Sequence, residues 1–162
     1  MKGVLRFRGV RRRTLGLFIA LCTGFIPAGV CEDALSQLPE QWKNRLQQIP
    51  EADLTGAEPY ARETIHETRA GLARLLSAEL ADSREIAEGY GSLGALYQIY
   101  GLASSAQTGY SNAMALDPEN FRWVYYAGYL AAQSGQHEEA VGLFQGAARL
   151  NPEYPALGLR LG

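Results

Sequence analysis

His137, Glu138 and Glu139 open a stretch that could begin a metal-hydrolase helix. A zinc-binding HExxH helix needs a second histidine at its fifth place, one turn on. Both imidazoles then face one metal while the glutamate between them activates water. Val141 stands at that place, so the second ligand is missing. His137 follows the turn at Gly135 and reads as a solvated residue at a helix start. His66 has no ligating partner at helical spacing. The sequence carries no CxxCH haem attachment, and none of its 18 glycines forms a GxGxxG phosphate loop. No serine or cysteine is set beside a base in a recognisable nucleophile motif. The expectation is a protein without enzymatic activity, cofactor or metal, in which the tyrosines and the helices that carry them do the work.

Those helices follow a repeat. Residues 87–120 and 121–154 superimpose at a spacing of 34. The eighth place is Gly94 and Gly128, the twentieth Ala106 and Ala140, the twenty-fourth Tyr110 and Phe144, the twenty-seventh Ala113 and Ala147, and the thirty-second Pro118 and Pro152. Antiparallel helices approach closely only where small side chains face the partner, so the Gly and Ala places mark the contacts and the aromatic place fills between them. Proline ends the second helix because it lacks an N–H and clashes with the preceding turn. The pattern predicts an all-α fold of helix–turn–helix units, none of which buries its apolar face alone.

With Tyr90, Leu93, Gly94, Tyr97, Ala106, Tyr110, Ala113 and Pro118, the first unit resembles the tetratricopeptide repeat family nearly throughout, and the chain resembles an exported bacterial member of it. The second unit departs at Val124, Ala127 and Ala131, where a large aromatic, Leu and Tyr are usual. The resemblance implies an α-solenoid whose first helices line a concave groove. The groove places hold Glu88, Gly91, Ser92, Ala95, Gln98 and Ile99 in the first unit and Arg122, Tyr125, Tyr126, Tyr129, Ala132 and Gln133 in the second. Three tyrosines and an arginine on one helical face are the residue types enriched at interfaces. They imply a protein or peptide partner, bound at Arg122, Tyr125, Tyr126, Tyr129 and Gln133 with Glu88 and Gln98. The family's carboxylate clamp is not expected, since Gly91 and Ala95 stand where Lys and Asn would be needed.

Outside the repeats the chain divides further. Lys2, Arg6, Arg8, Arg11, Arg12 and Arg13 precede an uncharged, mostly apolar stretch, 14–27, and the first acids are Glu32 and Asp33. This is the layout of a secretory signal peptide over 1–31, too short for a membrane span of about 20 residues. It predicts export to the periplasm or cell envelope, with membrane attachment only through this segment if it stays uncleaved. All 17 acids but only nine of the 15 Lys and Arg follow Cys31, a net charge of −8. So acidic a remainder is a poor match to nucleic acid. Residues 32–58 read as a short amphipathic helix from about Glu40, carrying Trp42, Leu46 and Ile49, and then a loop. Residues 59–82 read as a capping helix from about Pro59 to Leu80, with Ile65, Leu72, Leu75, Leu76 and Leu80 on its apolar stripe and Arg62, Glu63, Glu67 and Arg74 facing water. Repeats occupy 83–162, opening after Asp82 and Ser83 as N-cap, with a third unit starting at Pro155 whose Leu161-Gly162 falls in phase. That phase predicts a longer reading frame. The functional expectation is an exported scaffold. The alternative is the N-terminal interaction module of an envelope enzyme or electron-transfer protein whose active domain lies beyond Gly162.

Overall fold

The computed structural model describes residues 38–161, so the leader and its cleavage lie outside the described residues. Those residues form seven helices and no strand: α1 (Glu40–Lys43), α2 (Pro59–Ser77), α3 (Ser83–Ile99), α4 (Ala103–Leu116), α5 (Phe121–Gln133), α6 (His137–Leu150) and α7 (Pro155–Leu161). From α2 onward each helix packs on its neighbour in the chain, most extensively in the hairpins α3–α4 and α5–α6, and α3 also touches α5. None of the described helices is long and apolar enough to cross a membrane.

The two hairpins share their caps and turns at the 34-residue offset. The Asp82 side chain accepts from the Arg84 N–H and the Asn120 side chain from the Arg122 N–H, capping α3 and α5. Both helices end in the same Schellman turn. Gly101 N–H donates to Gln98 C=O at 3.1 Å and Leu102 N–H to Tyr97 C=O at 2.9 Å; Gly135 and Gln136 repeat this to Ala132 and Ala131 at 3.2 and 2.9 Å. The turn needs a left-handed residue, and Gly101 (φ 74°) and Gly135 (φ 76°) supply it without a Cβ penalty. Asp117 and Asn151, each before a proline, leave the helical region at φ −135° and −145° and so end α4 and α6.

Small residues let each hairpin close. A Cβ on Gly94 would lie 3.0 Å from Tyr110 Cδ1, and one on Gly128 would lie 3.0 Å from Phe144 Cδ1. Ala106, Ala113, Ala140 and Ala147 are buried at the same crossings. Tyr90, Leu93, Tyr97, Tyr110 and Trp123 belong to one core cluster that extends from Leu38 to Leu130. A second cluster surrounds Phe144 and includes Leu157 of α7. Fully burying a large apolar side chain is worth roughly 1.5–3 kcal/mol, so these shared clusters hold the helices together.

Two expected helices are shorter than their apolar patterns. α1 is a single turn, although Leu38, Trp42, Leu46 and Ile49 are all buried. The buried Asn112 side chain accepts from Gln47 N–H at 2.7 Å and donates to Gln47 C=O at 2.8 Å, taking the backbone groups a longer helix would pair internally. Ser105 Oγ donates to Pro50 C=O, so residues 47–50 are strapped across α4. Meanwhile α2 stops at Ser77, and Leu80 is 98% exposed rather than part of the apolar stripe. Residues 78–82 are needed to reverse the chain before α3, and Ala78 is already extended. The rest of the stripe holds: Ile65, Leu72 and Leu76 are buried, with Arg62, Glu63, Glu67 and Arg74 exposed.

One buried charge has no counterpart in the sequence reading. Arg69 of α2 is 6% exposed and donates from Nη1 to the Tyr97 hydroxyl at 2.5 Å. Among the described residues its Nε has no hydrogen-bond partner.

Candidate partner-binding face

The expected groove residues converge where α3 and α5 lie side by side. Glu88 and Arg122, the second place of successive units, form an ion pair. Arg122 Nε also donates to Asn120 Oδ1 at 3.1 Å, and its guanidinium lies 4.6 Å from the centre of the Trp123 ring. Both charged groups are half-exposed, so the pair itself is worth only about 0.2–1 kcal/mol. Its consequence is to neutralise Arg122 on this face.

At the other end of the two helices, Gln98 Nε2 donates to Gln133 Oε1 at 2.6 Å. The Tyr110 hydroxyl, rising from the core, donates to Gln98 Oε1 at 2.7 Å and fixes the amide. Burial raises the Tyr110 phenol above the ordinary tyrosine range, and the nearby Tyr126 phenol adds to this, so Tyr110 stays a donor.

The three tyrosines of α5 are not equivalent. Tyr125 is half-buried against Phe144 and Tyr154, with ring centroids at 5.7 and 5.1 Å. Tyr129 packs into the same cluster and lies 4.8 Å under the Arg160 guanidinium of α7. Tyr126, 36% exposed, stands on the surface. Its ring stacks on Tyr110 at 6.0 Å and meets Trp123 and Tyr125 at 6.4 and 5.7 Å. Such pairs prefer defined offset or edge geometries, which fixes the ring direction. Of the other expected groove places on α3, Ser92 is exposed, Ala95 half-buried and Ile99 76% exposed.

Gly91 corrects one expectation. Rather than lining an open groove, it is buried beneath Trp123, and a Cβ there would overlap the indole ring. Trp123, the third place of the second unit, was not singled out in the sequence. A 34-residue alignment sets each residue beside its own copy, whereas Trp123 meets a residue of the preceding unit. The available signal was an extra glycine in one unit opposite a large aromatic in the next. His137, the first residue of α6, is exposed. Among the described residues no cluster of three or more His, Cys, Asp or Glu side chains could hold a metal ion.

The α3–α5 face is therefore a fixed amphipathic surface: one aromatic ring on a buried aromatic base, flanked by two amides, with its arginine already paired. It can offer flat apolar contact and amide hydrogen bonds. No protein-family model matches this chain, and no curated protein matches it.

Proposed function

We propose that this chain is an exported scaffold of tetratricopeptide-like repeats that binds a protein or peptide partner on its α3–α5 face and catalyses no reaction. In this reading α3–α4 and α5–α6 are successive repeats, α7 begins a third, the whole is an α-solenoid, and α1 and α2 cap its first end. The identical capping and turn bonds at the 34-residue offset support the repeat assignment. The basic n-region and apolar stretch before Ala28 support export. The observation that carries the binding assignment is Tyr126, a partly exposed ring held in place by Tyr110, Trp123 and Tyr125. A preorganised aromatic loses little conformational freedom on binding.

The test is selection of binders from a random peptide library on the immobilised protein, followed by titration of the best sequences. Tyr126→Ala should weaken them about thirtyfold, equivalent to roughly 2 kcal/mol for a central aromatic anchor. Gln98→Ala should weaken them less, and the helical circular dichroism of both variants should match the parent. Binders indifferent to both substitutions would remove the face from the proposal.

A further inference from the structure

The second unit departs from the first at two places that matter together. Leu93 and Tyr97, its seventh and eleventh residues, are fully buried in the first unit. The second unit has Ala127 and Ala131 there. Both alanines line a cavity of about 240 Å³ between α4, α5 and α6. The missing side-chain volume has not been refilled by collapse, although protein interiors ordinarily close to near-crystalline density.

The lining is chemically uneven. Ala127, Leu130, Ala131 and Leu143 give apolar walls, three serines and two glutamines supply neutral polar groups, and among the described residues Glu139 is the only charged one lining the cavity. Glu139 is itself exposed, so its carboxylate meets solvent where the cavity opens. On α5 these positions lie about a third of a turn from Arg122, Tyr126, Tyr129 and Gln133. The cavity and the proposed binding face are thus separate. The volume falls below the roughly 300–1,000 Å³ of drug-sized ligand pockets and suits a single extended chain.

We infer that this cavity binds a primary alkylammonium group, its methylenes against the alanine and leucine walls and its cation on the Glu139 carboxylate. An aliphatic stem with a charged head buries one part and solvates the other, and an ammonium–carboxylate hydrogen bond is among the stronger ones. A carboxylate ligand would meet Glu139 with no cation among the described lining residues to offset it, and a neutral alcohol could donate to the carboxylate but would leave its charge uncompensated. The strongly acidic chain beyond Cys31 adds a field of the right sign.

The experiment follows methyl signals of Ala127, Ala131 and Leu143 by nuclear magnetic resonance during titration with n-butylamine at neutral pH. n-Butanol and doubly blocked lysine are titrated in parallel. Saturable shifts with butylamine, at least tenfold weaker binding of butanol, and at least tenfold weaker amine binding in Glu139→Gln are expected. Ala131→Leu or Ala127→Leu should abolish binding while the helical spectrum and thermal midpoint are kept or raised. Blocked lysine binding as tightly as butylamine assigns the site to a partner's lysine, and much weaker blocked lysine assigns it to free aliphatic amines. Absent saturation, equal binding of butanol, or indifference to Glu139→Gln overturns the inference.

Discussion

The indole of Trp123 occupies the space that a side chain on Gly91 would fill. This contact joins α3 to α5 across the boundary between the two hairpins. It has a direct consequence for stability. Alanine is the better helix former by about 0.5–1 kcal/mol, and Gly71 of α2, with nothing nearer its missing Cβ than an Arg74 nitrogen at 3.9 Å, should show that gain. Gly91→Ala must instead displace a buried ring and should lose about 1–3 kcal/mol net. Urea denaturation of both variants checks the sign. A Gly91→Ala protein as stable as Gly71→Ala would mean that Trp123 does not seal this boundary.

Asn112 bonds the backbone of Gln47 across 65 residues of sequence. Asn112→Ala removes both bonds and leaves the Gln47 N–H and C=O to solvent at best. An unsatisfied buried group costs about 1–3 kcal/mol, and the partial exposure of Gln47 sets the expectation near 2 kcal/mol. The loss should be local first. Hydrogen exchange should accelerate at residues 38–54 before α5 and α6 respond, since the two lost bonds fix the backbone of this segment directly. Uniform acceleration through all helices would show that the strap belongs to the cooperative core.

These two contacts also mark where local pattern stops being informative. Apolar periodicity and small-residue places expose the hairpins directly, because helix, Schellman turn and proline stop each depend on residues within one 34-residue unit. Gly135, Pro118 and Pro152 are legible for that reason. The strap is not legible. Trp42, Leu46 and Ile49 have helical spacing, yet a distant asparagine captures the backbone they would have used. The candidate site divides the same way. Its residues follow from their places in the repeat, but the separate fates of Tyr125, Tyr126 and Tyr129 depend on Phe144, Tyr154 and Arg160 of other helices. Arg69 carried no signal, since a charged residue on an amphipathic helix ordinarily faces water.

Alkaline pH should destabilise the fold through two buried phenols. Burial raises both Tyr90 and Tyr110 above their ordinary value of 10.0, a hydrogen bond from Asn112 offsetting part of this for Tyr90. A raised acid stays protonated in the folded chain while the unfolded chain ionises near pH 10. The stabilisation is therefore fully present below about pH 10 and is lost as the pH climbs through the folded values. Each group can contribute at most about 1.4 kcal/mol per pH unit in that window. Chemical denaturation should give constant stability up to about pH 10 and a decline above it. Tyr90→Phe and Tyr110→Phe should each flatten that decline, and tyrosinate absorbance should lag in the folded protein.

Arg69 and Tyr97 allow a sharper test of what a buried charge contributes. Among the described residues the guanidinium holds one hydrogen bond, to the Tyr97 hydroxyl, its Nε is unpaired, and it forms no ion pair. Desolvating a cation without an opposing charge is costly, so an apolar residue of similar length should serve as well. Arg69→Met should fall within about 1 kcal/mol of the parent or be more stable. Tyr97→Phe should cost about 1–3 kcal/mol, because it removes an acceptor from a charge that stays buried. The double variant should recover most of that loss, giving a coupling energy of about 1–2 kcal/mol in the cycle. Denaturant midpoints for the four proteins decide it. Should Arg69→Met prove the more damaging single change, the guanidinium would be a net stabiliser of the α2–α3 contact, and the desolvation argument would fail there.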